Sequence, residues 1–250
     1  MYRLYVIPGS HACRAGMLML EHKGIPYRRT DFVTLTHPLM VRLHGFDAGG
    51  ETRSAAGRRT PGLRIGDRLG TVPALNADGV RVSTNHAIAR FLDQRFPDPP
   101  LFPADPEARS AVEEAEAWAN ETLQMAARRL IGAAVLRDPA GMSRRCGDGR
   151  LGYLLYKGEL TRRLVVPRIL RQVFVSSPSA DRDPVAELPE LLDRVDAWIG
   201  AGVLNGPQLN AADCMTAPSL ALILYRPDVG SIFEGRPALE LVDRLLPEPA

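Results

Sequence analysis

Cysteine is scarce in this chain: Cys13, Cys146 and Cys214 are the only three among 250 residues. So widely spaced, they form neither a disulfide framework nor a metal-ligand pattern. The five histidines do not cluster, and His11 beside Cys13 is only a fragment of a metal site, so no metal is expected. No uninterrupted apolar run reaches the roughly 18 residues of a membrane-spanning helix. The N-terminus also lacks the basic region and long apolar run of a secretory signal. Nor is there an excess of one charge, since 31 basic residues face 29 acidic ones for a net +2. That balance argues against a nucleic-acid-binding surface overall. A cytoplasmic protein without membrane or nucleic-acid partners is the expectation.

What remains is a globular composition, 45% hydrophobic and 24% charged, long enough for two cores. The organising stretch is residues 2–27. Residues 4–7 read as a strand, Pro8 and Gly9 break it, and residues 12–23 read as a helix that Ser10 can cap and Gly24 ends. Ser10 then stands at a helix N-terminus, where free backbone N–H groups favour an anion such as a thiolate. Its plainer role is that of a helix cap.

Residues 26–33 are a second strand candidate, completing a βαβ unit, and His37–Leu43 reads as a short helix. A long loop comes next, in which Arg53, Arg58, Arg59, Arg64 and Arg68 meet only Glu51 and Asp67. A solvated loop is the plainer reading, a surface for an acidic ligand the sharper one. Thr71-Val-Pro-Ala-Leu75, a four-residue turn over 76–79 and residues 80–82 read as a hairpin. Pro73 there marks an edge or a cis bond. Ser83 or Thr84 caps a helix carrying Ala87, Ile88, Phe91 and Leu92 at helical spacing.

Prolines at 97, 99, 100, 103 and 106 mark a linker, giving domains over 1–98 and 107–250 joined by 99–106. Beyond it strand signals fade. Helices are expected over 107–137, 151–175, 184–199 and 237–246, with Asn210 and Asp213 spaced as a capping box and Leu209 and Cys214 at staple positions.

These pieces together resemble the glutathione transferase family, in its serine-type, theta-like and zeta-like branch. The carriers are Ser10-His-Ala-Cys-Arg14, Glu21-His-Lys-Gly-Ile-Pro-Tyr27, Thr71-Val-Pro-Ala-Leu75, Asn85-His-Ala-Ile-Ala-Arg-Phe-Leu92, Leu101-Phe-Pro-Ala-Asp105 and Leu209-Asn-Ala-Ala-Asp213, in that order along nearly the whole chain. The resemblance implies an α/β thioredoxin-like N-terminal domain followed by an all-α helical C-terminal domain. It also implies a homodimer, and a bound low-molecular-weight thiol, glutathione or another, as cosubstrate.

In the resemblance Ser10 is the catalytic hydroxyl that donates to the thiolate. A free thiol has a pKa of about 8.5, and only the thiolate is a good nucleophile. Val72 and the cis-proline Pro73 would pair with the cysteinyl backbone of the thiol, and Thr84 and Asn85 would receive its γ-glutamyl end. Thr84-Asn85 departs from the acid-serine pair usual there, so the negative charge that meets the α-ammonium is missing. Cys13 takes the second position of a C-x-x-C whose first position is Ser10, which excludes a dithiol couple. Tyr5, His11, Arg14, Trp118, Arg128 and Arg129 are candidates for the substrate pocket. For Tyr5 and Trp118 the core is the plainer place, and for the arginines solvent. The implied activity is conjugation, substitution or thiol-assisted isomerisation of a small, largely apolar electrophile. The alternative is a non-catalytic binding module of the same fold.

Overall fold

The computed structural model describes residues 1–33, 36–46, 70–138, 142, 149–152 and 184–248. Cys146, the arginine-rich loop apart from Gly70, and the expected helix over 151–175 apart from its first two residues lie outside them.

The first region is a mixed four-stranded sheet in the order β2-β1-β3-β4. β1 (Tyr2–Val6) pairs in parallel with β2 (Tyr27–Asp31), Tyr5 opposite Thr30, and antiparallel with β3 (Ala74–Ala77), Leu4 opposite Leu75. Residues of β1 are buried on both faces, as an interior strand requires, whereas β2 is the charged edge Tyr-Arg-Arg-Thr-Asp. The hairpin from β3 to β4 (Val80–Ser83) is tighter than the sequence suggests. Its loop is two residues, Asp78 and Gly79, both at positive φ (52° and 98°), because Asn76 and Ala77 already pair with β4. Positive φ at both positions marks the turn whose twist matches that of the flanking strands.

α1 (His11–His22) joins β1 to β2 and buries most of its surface, and α2 (His37–Leu43) follows β2. α3 (Asn85–Arg95) is capped by Thr84, whose hydroxyl accepts from the Ala87 N–H at 3.3 Å.

The second region is helical. α4 (Pro106–Trp118), capped by Asp105, runs through a π turn (Ala119–Leu123) into α5 (Gln124–Arg137). The sequence pattern predicts one unbroken helix over 107–137. The chain is helical throughout, but the π turn inserts an extra residue into the repeat and so re-aims α5. A 3-10 turn (Pro184–Glu187) leads into α6 (Leu188–Gly200). α7 (Ala211–Ile223) is buried along its whole length and packs against α1, α4 and α5. A helix apolar on every side belongs at the centre of a core. α8 (Gly230–Phe233) and α9 (Pro237–Leu245) close the chain.

Asn210 and Asp213 form the expected capping box: each side chain accepts from the other's backbone N–H at 3.1 Å. Two polar clamps hold α3 in place. Lys23, its side chain fully enclosed, donates to Asp93 at 3.1 Å and to the carbonyls of Phe96 and Pro99 at 2.6 Å. Arg90 on α3 donates to both oxygens of the buried Glu116 on α4, at 2.9 and 2.7 Å.

Candidate functional site

Ser10 lies where the chain leaves β1 and enters α1. Its backbone is extended and its Oγ accepts from the Cys13 N–H at 3.2 Å. This cap consumes a lone pair and leaves the hydroxyl proton to donate. Ser10 also lines a cavity of about 220 Å³ together with Gly9, Arg14, Arg29 and Arg150, with Ile7, Met17 and Leu151 as its apolar wall. Cap and cavity-facing hydroxyl are therefore compatible in one side chain.

Cys13, one turn on, is enclosed completely. Burial pushes its thiol up to about 11, against smaller downward pulls from the Ser10 hydroxyl, the Ile7 backbone, Arg128 and Arg29. It stays protonated and packed at neutral pH. The charges that lose to burial at Cys13 nevertheless create positive potential at the N-terminus of α1.

His11 is also buried, and its Nε2 has no hydrogen-bond partner among the described residues. Burial, then the charge of Arg128, holds its pKa well below the usual histidine value, so the ring is neutral at pH 7. Arg128 reaches the same place from α5. Its guanidinium touches Met125 Sδ at 3.5 Å and forms no ion pair among the described residues. Burial pulls Arg128 down to about 10, partly opposed by Cys13, and it remains a cation at neutral pH.

The hairpin end and the start of α3 meet beside α1. The Val72–Pro73 bond is cis, and the Thr84 N–H donates to the Pro73 carbonyl at 3.3 Å. Thr84 has φ 75°, ψ 147°, which is costly for a β-branched residue and concentrates at sites where backbone must face a ligand. Asn85 does not face outward. It is buried and its Nδ2 donates to the Ala12 carbonyl at 2.8 Å. Gly16 makes this approach possible, since a Cβ there would stand 3.3 Å from Pro73 Cβ and 3.4 Å from Asn85 Oδ1.

The remaining candidates are spread out. Tyr5 lies in the core, its ring 5.3 Å from Phe32, 4.8 Å from His44 and 5.6 Å from Phe46 between centroids. Trp118 meets Trp198 edge to face at 5.1 Å, with Arg194 over both indoles. Arg129 is half-exposed and 3.7 Å from Glu187. Arg14 lines the Ser10 cavity and pairs with Glu21 at 2.8 Å. Sequence reasoning missed Gly16, Arg29 and Arg150. Of these only Gly16 carried a signal, a glycine inside an otherwise good helix.

A larger cavity, about 480 Å³, lies between residues 100–105, the start of α4 and residues 201–210, and none of the candidate residues lines it. Among the described residues no group of three or more His, Cys, Asp and Glu is placed to hold a metal, and no helix is long and apolar enough to cross a membrane.

No known family's sequence profile matches the chain, and no curated protein matches it by sequence. Solved structures do. A glutathione S-transferase from Rhodospirillum rubrum aligns over 100% of this chain and 89% of its own, with a TM-score of 0.59 and 22% identity. The fold is that of the glutathione transferases. FzlA from C. crescentus aligns over 98% of this chain and 87% of its own, at a TM-score of 0.58 and 17% identity. A maleylacetoacetate isomerase from Anaeromyxobacter dehalogenans, with glutathione bound in its active site, aligns over 98% and 89%, at 0.55 and 21%. The glutathione transferase fold explains the division observed here, a mixed sheet with its helices followed by a helical region.

Proposed function

We propose that this protein is a glutathione-dependent enzyme that uses a bound thiolate to conjugate, substitute or isomerise a small electrophile. The observation that carries the reading is Ser10, a hydroxyl that caps the N-terminus of a 12-residue helix and lines an open cavity. A thiol bound there receives a hydrogen bond from that hydroxyl together with the helix dipole and the potential of Arg29 and Arg128. All of these favour the charged form and lower the thiol pKa. In this reading the thiol proton leaves to solvent, and the sulfur attacks with Ser10 still donating to it.

The backbone at Val72 is the partner for the cysteinyl part of glutathione, beside the cis Pro73. The γ-glutamyl carboxylate is met by the N-terminus of α3. Asn85 and Thr84 are both neutral, so the α-ammonium has no charged partner from this pair. A missing ion pair of this kind weakens binding by about ten- to a hundredfold, that is roughly 1–3 kcal/mol. Calorimetric titration should give weak glutathione binding that Thr84→Glu strengthens. The bound state is expected to be a cytoplasmic homodimer, and sedimentation equilibrium tests the dimer.

The decisive experiment is turnover of a chromogenic aryl halide with glutathione. Ser10→Ala should lower kcat/KM by about a hundredfold or more, as for the loss of a preorganised donor, while Ser10→Thr keeps most of it. Equal rates for the unmodified protein and Ser10→Ala would refute the assignment.

A further inference from the structure

The larger cavity, about 480 Å³, shares no lining residue with the cavity of Ser10. Its volume falls among those of pockets that enclose small organic molecules. Its walls are mainly apolar: the buried Leu101, Phe102 and Val112 line it, together with Ala111, Val203 and Leu209. Hydrogen bonds within the protein hold these walls in place. The Leu101 N–H donates to Asp93 at 2.6 Å, the Leu101 carbonyl accepts from the Ala211 N–H at 2.9 Å, and the Asn210 amide donates to the Val203 carbonyl at 2.8 Å. Walls already ordered lose little freedom when a ligand enters.

The charge of the cavity is one-sided. Its described lining carries two ionisable side chains, Asp105 and Glu107, both acidic and both exposed. Asp105 accepts from the Ala108 N–H at 2.9 Å through one carboxylate oxygen and keeps the other. The cations near these walls are already matched. Arg90 and Arg109, which lie 4.7 and 5.1 Å from the centroid of the Phe102 ring, pair with Glu116 and Glu113. Arg244 donates to the Gly206 carbonyl at 2.7 Å and acts on the buried Asp213 carboxylate. The N-termini of α4 and α7 also point here, each equivalent to about half a positive charge, and the second is capped by Asn210 and Asp213. The carboxylates of Asp105 and Glu107 outweigh these partial charges, so the cavity favours a cation.

We propose that this cavity binds a small amphiphilic amine, its hydrocarbon part against the apolar walls and its ammonium at Asp105 and Glu107. An alkylammonium has a pKa of about 10.4, so such a ligand keeps its charge at neutral pH. Bound here it leaves Ser10 and its cavity open, and it is neither the thiol nor the electrophile of the proposed reaction. The inference stands independently of that reaction.

The test is calorimetric titration of the full chain with phenylbutylamine at low ionic strength, beside the neutral phenylbutanol and the anionic phenylbutyrate. The amine should bind about fivefold or more tighter than the alcohol, and the acid should bind most weakly. Asp105→Asn keeps the helix cap and should weaken the amine about threefold. Glu107→Lys reverses one charge and should weaken it about tenfold, and Ala111→Phe, which fills the cavity, by about as much or more. Glu190→Gln, an exposed acid on α6 outside the lining, and Ser10→Ala should leave the affinity unchanged. Thermal melts identify any variant that fails to fold, and Glu107→Lys, at the surface, carries the test if Ala111→Phe is one.

No binding of the amine, equal or tighter binding of the alcohol or the acid, unchanged affinity in both Glu107→Lys and Ala111→Phe, or loss of binding in Ser10→Ala would overturn the site.

Discussion

Asn85, the first residue of α3, donates its side-chain N–H to the carbonyl of Ala12 in the first turn of α1, at 2.8 Å. The contact locks together the two helix N-termini that flank Ser10 and Thr84. It also gives the buried Asn85 side chain a structural role. Asn85→Ala should therefore cost about 1–3 kcal/mol, from a lost buried hydrogen bond and the gap left behind. Glutathione affinity, measured by calorimetry below the melting transition, should change by less than about threefold, because the side chain is buried against the first turn of α1. A large loss of affinity without loss of stability would contradict this.

Lys23 ties the end of α1 to the end of α3 and to the segment that follows it. Its ammonium makes all three of its hydrogen bonds out of water, one to the carboxylate of Asp93. That carboxylate also accepts from the Leu101 N–H at 2.6 Å. Lys23→Met leaves Asp93 and two carbonyls without their cation. The expected loss is about 3 kcal/mol or more, read as a fall in Tm of roughly 6 °C or more for a chain of this size.

Acid should destabilise the protein through His11. Its folded pKa lies below the ordinary value, so the unfolded chain takes up the proton first. The stability this neutral ring contributes is intact above about pH 6.5 and is lost progressively as pH falls below that. His22, also shifted down by burial, adds in the same direction. Urea midpoints measured across this range should show a shallower acid slope in His11→Leu than in the unmodified protein.

Cys13 occupies the position of a redox cysteine, but its thiol is held up to about 11, and burial likewise holds Cys214 well above the ordinary thiol value. Iodoacetamide at about pH 8 should leave both unmodified in the native protein and alkylate both in urea, as peptide mass mapping will show. Rapid native alkylation of Cys13 would make it a nucleophile after all.

Most of the local architecture is legible in the residues themselves. Strand breaks at Pro8-Gly9, caps at Ser10, Thr84 and Asn210 and the Asp213 box each act over a few residues. Short-range sterics and hydrogen bonding therefore determine them before the chain folds. The hairpin turn is legible in place but not in length, because only the pairing of Asn76 and Ala77 with β4 shows where the strands end.

The tertiary structure decided what these elements present to one another. Tyr5 went to an aromatic core because both faces of β1 are covered, and Asn85 turned inward because Gly16 leaves room beside Ala12. The π turn sets the direction in which α5 projects Arg128 towards His11 and Cys13. Arg14, Arg29 and Arg150 carry no motif, and their convergence on Ser10 arises only when a helix, an edge strand and a distant segment pack together. A charge in sequence has no address until folding sets its distance to every other charge, and Coulomb energy depends on that distance and on the water excluded around it.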